Sequence, residues 1–149
     1  MAARILEVCD AVAARLRGLN PGLAVERVYV ADLDPPPAAR TVVYVAPGGY
    51  GQPEGPATRI ADAASFRVLV TVAAGVSVPP DPAAVDALVA FAQERVYDPL
   101  SDARGFPTLP APCAGLWPQA AEVVSVYDPD ELRRGLFVCD LAFDFHGIE

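Results

Sequence analysis

The sequence has no lysine, a single histidine and a single tryptophan, and its acidic residues give it a net charge of −8 over 149 residues. Proteins that grip nucleic acid need clustered positive charge, because binding releases counterions from the phosphates. We therefore expect DNA to be a passing contact at most. The absence of lysine also removes the side chain that a phosphate-binding loop requires.

Cysteines and long apolar runs are scarce as well. Cys9, Cys113 and Cys139 are odd in number and lack the paired short spacing of a zinc site, so we predict neither a disulfide framework nor a bound metal. No run approaches the roughly 20 apolar residues of a membrane span. Glu7 and Asp10 interrupt the N-terminal segment, unlike the apolar core of a secretory signal. We expect a chain that works in a reducing cytoplasm without membrane contact.

The spacing of apolar residues predicts one α+β domain over residues 1–149. The predicted helices are residues 3–17 and a second helix capped by Asp81, with a helical turn capped by Asp128 or Asp130. The predicted strands are 23–30, 41–46, 65–74, 121–128 and 135–146. Because strands and helices do not alternate strictly, we expect a mainly antiparallel sheet of about five strands with two helices packed on one face.

Two segments, near 47–64 and 98–118, are rich in glycine and proline. Because of this composition, neither a helix nor a strand is predicted in them, and both are longer than ordinary connections between elements. We predict long loops at both places. Because glycine and proline without apolar anchors give reach but little packing, the first loop is expected to extend toward a partner.

Two segments of the sequence resemble nucleotide-binding or catalytic motifs, but each lacks a residue that the motif requires. In "VVYVAPGGYGQPEG", Glu54 stands where a dinucleotide-binding fingerprint has its third glycine, and Pro53 and Pro56 stop the helix that would hold the phosphates. "GVSVP" resembles a hydrolase elbow around Ser77, but Pro79 replaces the glycine that lets such a turn close. We predict no catalytic residue and no cofactor.

The last predicted strand has two unlike faces, because side chains alternate along a strand. One face is apolar, and the other carries Asp140, Asp144 and His146. Asp144 and His146 lie about 6.6 Å apart on such a face, yet no third metal ligand can be named. We interpret this face as solvated or turned toward a partner.

The layout as a whole, with "DALVAFAQERVYD" in the second helix and "YDPDELRRGLFVCDLAFDF" near the end, resembles the bacteriophage tail-terminator or tail-completion proteins. The resemblance implies a ring, usually of six copies, that caps the tail tube and ends its polymerisation. It implies three partners: further copies of the chain, the tail-tube protein and the neck or head connector. It also implies a place at the tail-neck junction of the virion, after assembly in the bacterial cytoplasm.

A ring subunit needs apolar surface for its neighbours, and several side chains are candidates for contact with a neighbouring subunit or with the tube. These are Tyr50, Gln52, Arg59, Phe106, Leu109, Trp117, Arg133 and Arg134. Phe106 and Trp117 have a second interpretation, in which they pin the long loop onto the domain. Asp140 and Asp144 are predicted to face the pore, where carboxylates repel the phosphates of passing DNA.

Two other functions remain open on the sequence alone. The first is a neck or head-completion adaptor in the same particle, which differs in the ring that it meets. The second is a small enzyme or ligand-binding domain with a pocket under the glycine- and proline-rich loop.

Overall fold

The computed structural model describes residues 4–31, 40–51, 63–101, 109–110, 113 and 115–148. Predictions for Gln52, Arg59 and Phe106 lie outside the described residues, as does most of the predicted first loop. Tyr50 is described only through its backbone.

The described strands form one mixed sheet of five strands in the order β1-β2-β3-β5-β4. Their bounds are β1, Ala24–Arg27; β2, Thr41–Gly51; β3, Ala63–Gly75; β4, Trp117–Ser125; and β5, Leu136–Ile148. β1 pairs with β2 in parallel, and the other three pairings are antiparallel. The predicted α+β class and the mainly antiparallel sheet are confirmed.

The helices also follow the prediction. They are α1, Arg4–Leu19; α2, Pro82–Phe91, which continues as a π-helical turn over Ala92–Tyr97; α3, Asp98–Ser101; and α4, Pro129–Arg133. Asp81 caps α2 by accepting a hydrogen bond from the backbone N–H of Ala83 at 3.2 Å. Asp128 caps α4 in the same way. Among the helices described here, none has the length and apolar character to cross a bilayer.

The main core lies between the helices and one face of the sheet. The inward-facing stripe of α1 is fully buried and includes Val8, Val12 and Leu16. From the sheet, the apolar face predicted for the last strand supplies Phe143 and Phe145, both fully buried. The alternation of β5 therefore assigns one face to the core and leaves Asp140, Asp144 and His146 on the other.

β2 corrects the prediction that glycine and proline exclude a regular element near 47–64. β2 continues to Gly51 and pairs with β3, with a register shift between Pro47 and Gly49. Gly48 is the extra residue at this register shift. A Cβ atom at Gly48 would lie 3.0 Å from Cγ of Leu69. A bulge and a close approach at glycine allow the strand to pass through this composition.

Three further strand ends differ from the prediction by three or more residues, and one of them is the end of β4, which lies at Ser125 rather than at residue 128. β1 ends at Arg27 rather than at residue 30, and Tyr29 and Val30 bend away from the strand. β4 begins at Trp117, four residues early, because an edge strand tolerates Pro118 and a register shift follows it. The predicted loop 98–118 therefore loses its first residues to α3 and its last to β4.

Candidate functional site

The face of the sheet opposite α1 and α2 carries a group of polar side chains that we call the polar cluster. Its members are Arg67 and Thr71 of β3, Glu122 of β4, and Asp140 and Asp144 of β5. The register of β3 with β5 places Thr71 opposite Asp140 and Arg67 opposite Asp144. Side chains directly opposite one another on antiparallel strands are close enough to interact.

Arg67 is the centre of the polar cluster. Its Nη1 lies 3.4 Å from Oδ2 of Asp144, and its Nη2 lies 3.2 Å from Oε2 of Glu122. Asp140 accepts a hydrogen bond of 2.9 Å from the Thr71 hydroxyl instead. Two carboxylates thus share one guanidinium and the third is bonded to a hydroxyl, so the cluster as a whole keeps a net negative charge.

The sequence predicted only part of the polar cluster. Asp140 and Asp144 were placed on one strand face correctly, but Arg67, Thr71 and Glu122 were missed. The alternation of "SFRVLVTV" already separates Arg67 and Thr71 from the buried valines of β3. The sequence alone does not reveal that β3 pairs with β5. This pairing brings residues more than 60 positions apart into contact.

His146 and Trp117 form a pair at one end of the same face. They lie opposite each other on β5 and β4, and their rings meet edge to face with centroids 5.2 Å apart. Trp117 is 37% exposed, so part of its ring remains available to a partner. Over the described ranges, no three His, Cys, Asp or Glu side chains are grouped so that they could hold a metal ion.

Of the other predicted interface residues whose side chains are described, one is buried and two are exposed. Leu109 is 2% exposed and belongs to the core, so the prediction that it offers surface to a neighbour is wrong. Arg133 and Arg134 are well exposed on and just after α4, and they pair with Asp130 and Glu131 of the same helix. Exposed pairs of this kind contribute little to stability, so both guanidinium groups can change partners at low cost.

An exposed apolar surface that was not predicted lies near the end of β4. Val123, Val124, Val126 and Tyr127 are each between 40% and 54% exposed, and we call them the β4-edge patch. β4 forms one edge of the sheet, and its outer side pairs with no described strand. An exposed apolar edge strand is a surface that natural proteins usually cover or blunt.

A small apolar recess lies between this patch and α2. Its volume is about 60 Å³, and its lining includes Val89, Tyr97, Val123 and Val126. The core therefore does not close completely where the helical layer meets the edge of the sheet.

A larger groove runs along the other side of α2. It has a volume of about 590 Å³ and is lined by α2 and the ends of β2 and β3, including Ala84, Leu88 and Phe91. No residue of α2 is buried, although most of them are apolar. Ser77 borders this groove, and its hydroxyl donates to the carbonyl of Pro79 at 3.0 Å, so it lies in the predicted turn.

Three thiols lie in the core, those of Cys9, Cys113 and Cys139. Burial raises the pKa of Cys9 and of Cys139 to about 11, from an ordinary value of 9.0. A thiolate, rather than a thiol, is the reactive form, so both groups are inert near neutral pH.

We expect Cys9 and Cys139 to react with iodoacetamide at pH 8 at least about 100-fold more slowly in the folded protein than in guanidinium chloride, because a two-unit higher pKa lowers the thiolate fraction about 100-fold. Mass spectrometry of peptides after timed labelling measures both rates. The rates in the folded protein should rise as the pH approaches 11. Equal rates in the folded and denatured protein would contradict the burial of these thiols.

Comparison of the sequence with protein-family models and with curated protein sequences gives no match.

Proposed function

We propose that this chain is a structural subunit of a bacteriophage tail, a tail terminator that assembles into a ring of about six copies on the end of the tail tube. The observation that carries the proposal is the β4-edge patch, where four apolar side chains lie exposed beside an unpaired sheet edge. Such a surface is typical of a chain that functions in contact with other subunits. The resemblance of the second helix and of the final segment to tail terminators supports the same function.

In this proposal the ring stops tube polymerisation and presents its other side to the neck or head connector. It belongs to the tail-neck junction of the virion and is assembled in the bacterial cytoplasm. The polar cluster faces the pore, and its surplus of carboxylates over guanidinium repels DNA phosphates while the genome passes. Because Arg67 already neutralises part of the cluster, the repulsion depends on Asp140 and Glu122 as well as on Asp144.

Assembly is tested with the purified chain and with tail tubes polymerised from the tube protein of the same genome. We expect native mass spectrometry to show a hexamer, alone or on addition of tubes, and electron microscopy to show rings seated on tube ends. Tube length should stop increasing once rings are bound. Tubes incubated with an unrelated acidic protein of similar size provide the control.

The same images test the pore assignment. In an assembled ring, Asp140 and Asp144 should lie closer to the axis than the arginines do. A pore lined mainly by arginine would contradict the assignment, and tubes that keep growing in the presence of the chain would contradict the terminator function. Rings that bind the head connector but ignore tubes would favour the neck adaptor instead.

The groove beside α2 favours a second candidate function, a small ligand-binding domain. Its volume of about 590 Å³ falls within the range of small-molecule sites, and its lining is mostly apolar. A chain that stays monomeric at all concentrations, and whose melting temperature rises with an apolar small molecule, would favour this function over assembly.

A further inference from the structure

Exposed apolar side chains lie at both edges of the sheet. The β4-edge patch occupies one edge. Next to the opposite edge, just after β1, Tyr29 is 65% exposed and Val30 is 84% exposed, and we call these two residues the β1-edge patch. Tyr29 is held by Arg27, whose guanidinium lies 5.0 Å from the centre of its ring.

The strand order β1-β2-β3-β5-β4 separates the two patches by the width of the sheet. At about 4.8 Å for each neighbouring pair of strands, this width is roughly 19 Å. A contact between two identical patches would bury one patch and leave the other in water. A contact between unlike patches uses both on every subunit, and such a head-to-tail contact produces a ring when the rotation closes.

The charges beside the patches favour the unlike contact. At the β1-edge patch, the guanidinium of Arg27 lies against the ring of Tyr29 and also pairs with Asp10 at 3.1 Å. Beside the β4-edge patch, Asp128 accepts from the backbone N–H groups of Asp130 and Glu131, not from a guanidinium. Unlike patches therefore bring Asp128 toward the Arg27–Asp10 pair, whereas two β4-edge patches would bring two Asp128 carboxylates together in a chain that already carries −8.

The lining of the recess beside the β4-edge patch indicates which kind of side chain would enter it. The recess is partly open to solvent and its lining is mostly apolar, so it suits the branched end of an aliphatic side chain. Val30 has this chemistry and is the more exposed member of the β1-edge patch.

We propose that the β1-edge patch of one subunit docks on the β4-edge patch of the next copy, with Val30 entering the recess between α2 and β4. The proposal rests on the proposed function as a self-assembling ring, and it names the two surfaces that form each contact. Each subunit then has one patch of each kind engaged, and a closed ring leaves neither kind exposed.

The test uses two variants that each disable one patch, Val30→Glu and Val124→Glu. Each variant alone should lose rings, with the hexamer fraction in native mass spectrometry at least tenfold below that of the unaltered chain. Mixed in equal amounts, the two variants should form a dimer and nothing larger. Val30→Glu keeps its β4-edge patch and Val124→Glu keeps its β1-edge patch, so one sound contact can form.

Val78→Glu is the matched control. Val78 is 66% exposed in the turn after the central strand, and its substitution should leave the rings intact. Circular dichroism melts show whether each variant folds, and Tyr127→Glu replaces Val124→Glu if that variant does not.

The outcomes separate this inference from the proposed function. Rings that persist in both edge variants would overturn the pairing of patches and leave the terminator function standing. Dimers formed by Val30→Glu alone would overturn it in favour of contact between two β4-edge patches. If the unaltered chain stays monomeric even with tail tubes present, both proposals fail.

Discussion

Replacing Phe143 with alanine is expected to lower the free energy of unfolding by about 3 to 5 kcal/mol. Phe143 is fully buried at the centre of β5, and its ring lies 5.8 Å from that of Tyr97 in the helical layer. The ring therefore joins the sheet to the helices. Alanine removes its apolar contacts and leaves a cavity that the neighbouring strands cannot fill, because they are fixed by pairing on both sides of β5.

Urea denaturation followed by circular dichroism measures the effect. Val124→Ala serves as the control, because Val124 lies on the neighbouring strand but is more than half exposed, and its truncation should change stability by about 0.5 kcal/mol or less. Protein concentrations must be low enough to keep both variants monomeric, since any association would stabilise the folded chain by mass action. A loss below about 1 kcal/mol at Phe143 would contradict its place at the junction of the two layers.

Gly135→Ala is expected to cost about 1 to 3 kcal/mol. Gly135 connects α4 to β5 with φ +91°, a left-handed conformation that side chains disfavour. A Cβ there would also lie 3.2 Å from the carbonyl oxygen of Val76 and 3.2 Å from Cγ2 of Val78. The carbonyl belongs to backbone, which cannot turn aside as a side chain can.

The variant Gly22→Ala separates the cost of the backbone conformation from the cost of crowding around the Cβ atom. Gly22 has φ +86°, and nothing lies within 4 Å of its Cβ position, so its cost reports the backbone conformation alone. The excess of Gly135→Ala over Gly22→Ala in urea denaturation then measures the crowding at the start of β5. A variant at Gly135 as stable as the unaltered protein would show that the turn adopts another conformation.

The elements with the strongest periodicity were predictable from the sequence. The apolar stripe of α1, the cap and first turn of α2, and the two faces of β5 follow from local spacing, and tertiary contacts do not overrule it. The end of β2 and the start of β4 were predicted as loop for one shared reason. Gly48 and Pro118 are usually signs of a loop, but a bulge and an edge position make each compatible with a strand.

The candidate site was less predictable, because it depends on pairing between distant strands. Asp140 and Asp144 share a face through local alternation, whereas their partners Thr71 and Arg67 are chosen by the register of β3 with β5. The exposure of the β4-edge patch depends on the position of β4 at the edge of the sheet, which is set by the strand order. A run of valines would suit a buried strand equally well, so the sequence alone does not distinguish the two environments.

The strand order has a consequence for synthesis on the ribosome. The centre of the sheet is completed by β5, which pairs Gly75 with Leu136 and Ala63 with Ile148. A nascent chain that has already produced β1, β2 and β3 therefore still lacks the strand that joins them to β4. Loop closure over such separations slows folding, so the two patches at the edges of the sheet attain their native spacing only after translation has passed β5. If the chain assembles as proposed, a subunit still on the ribosome would therefore not present both edge patches at their native spacing.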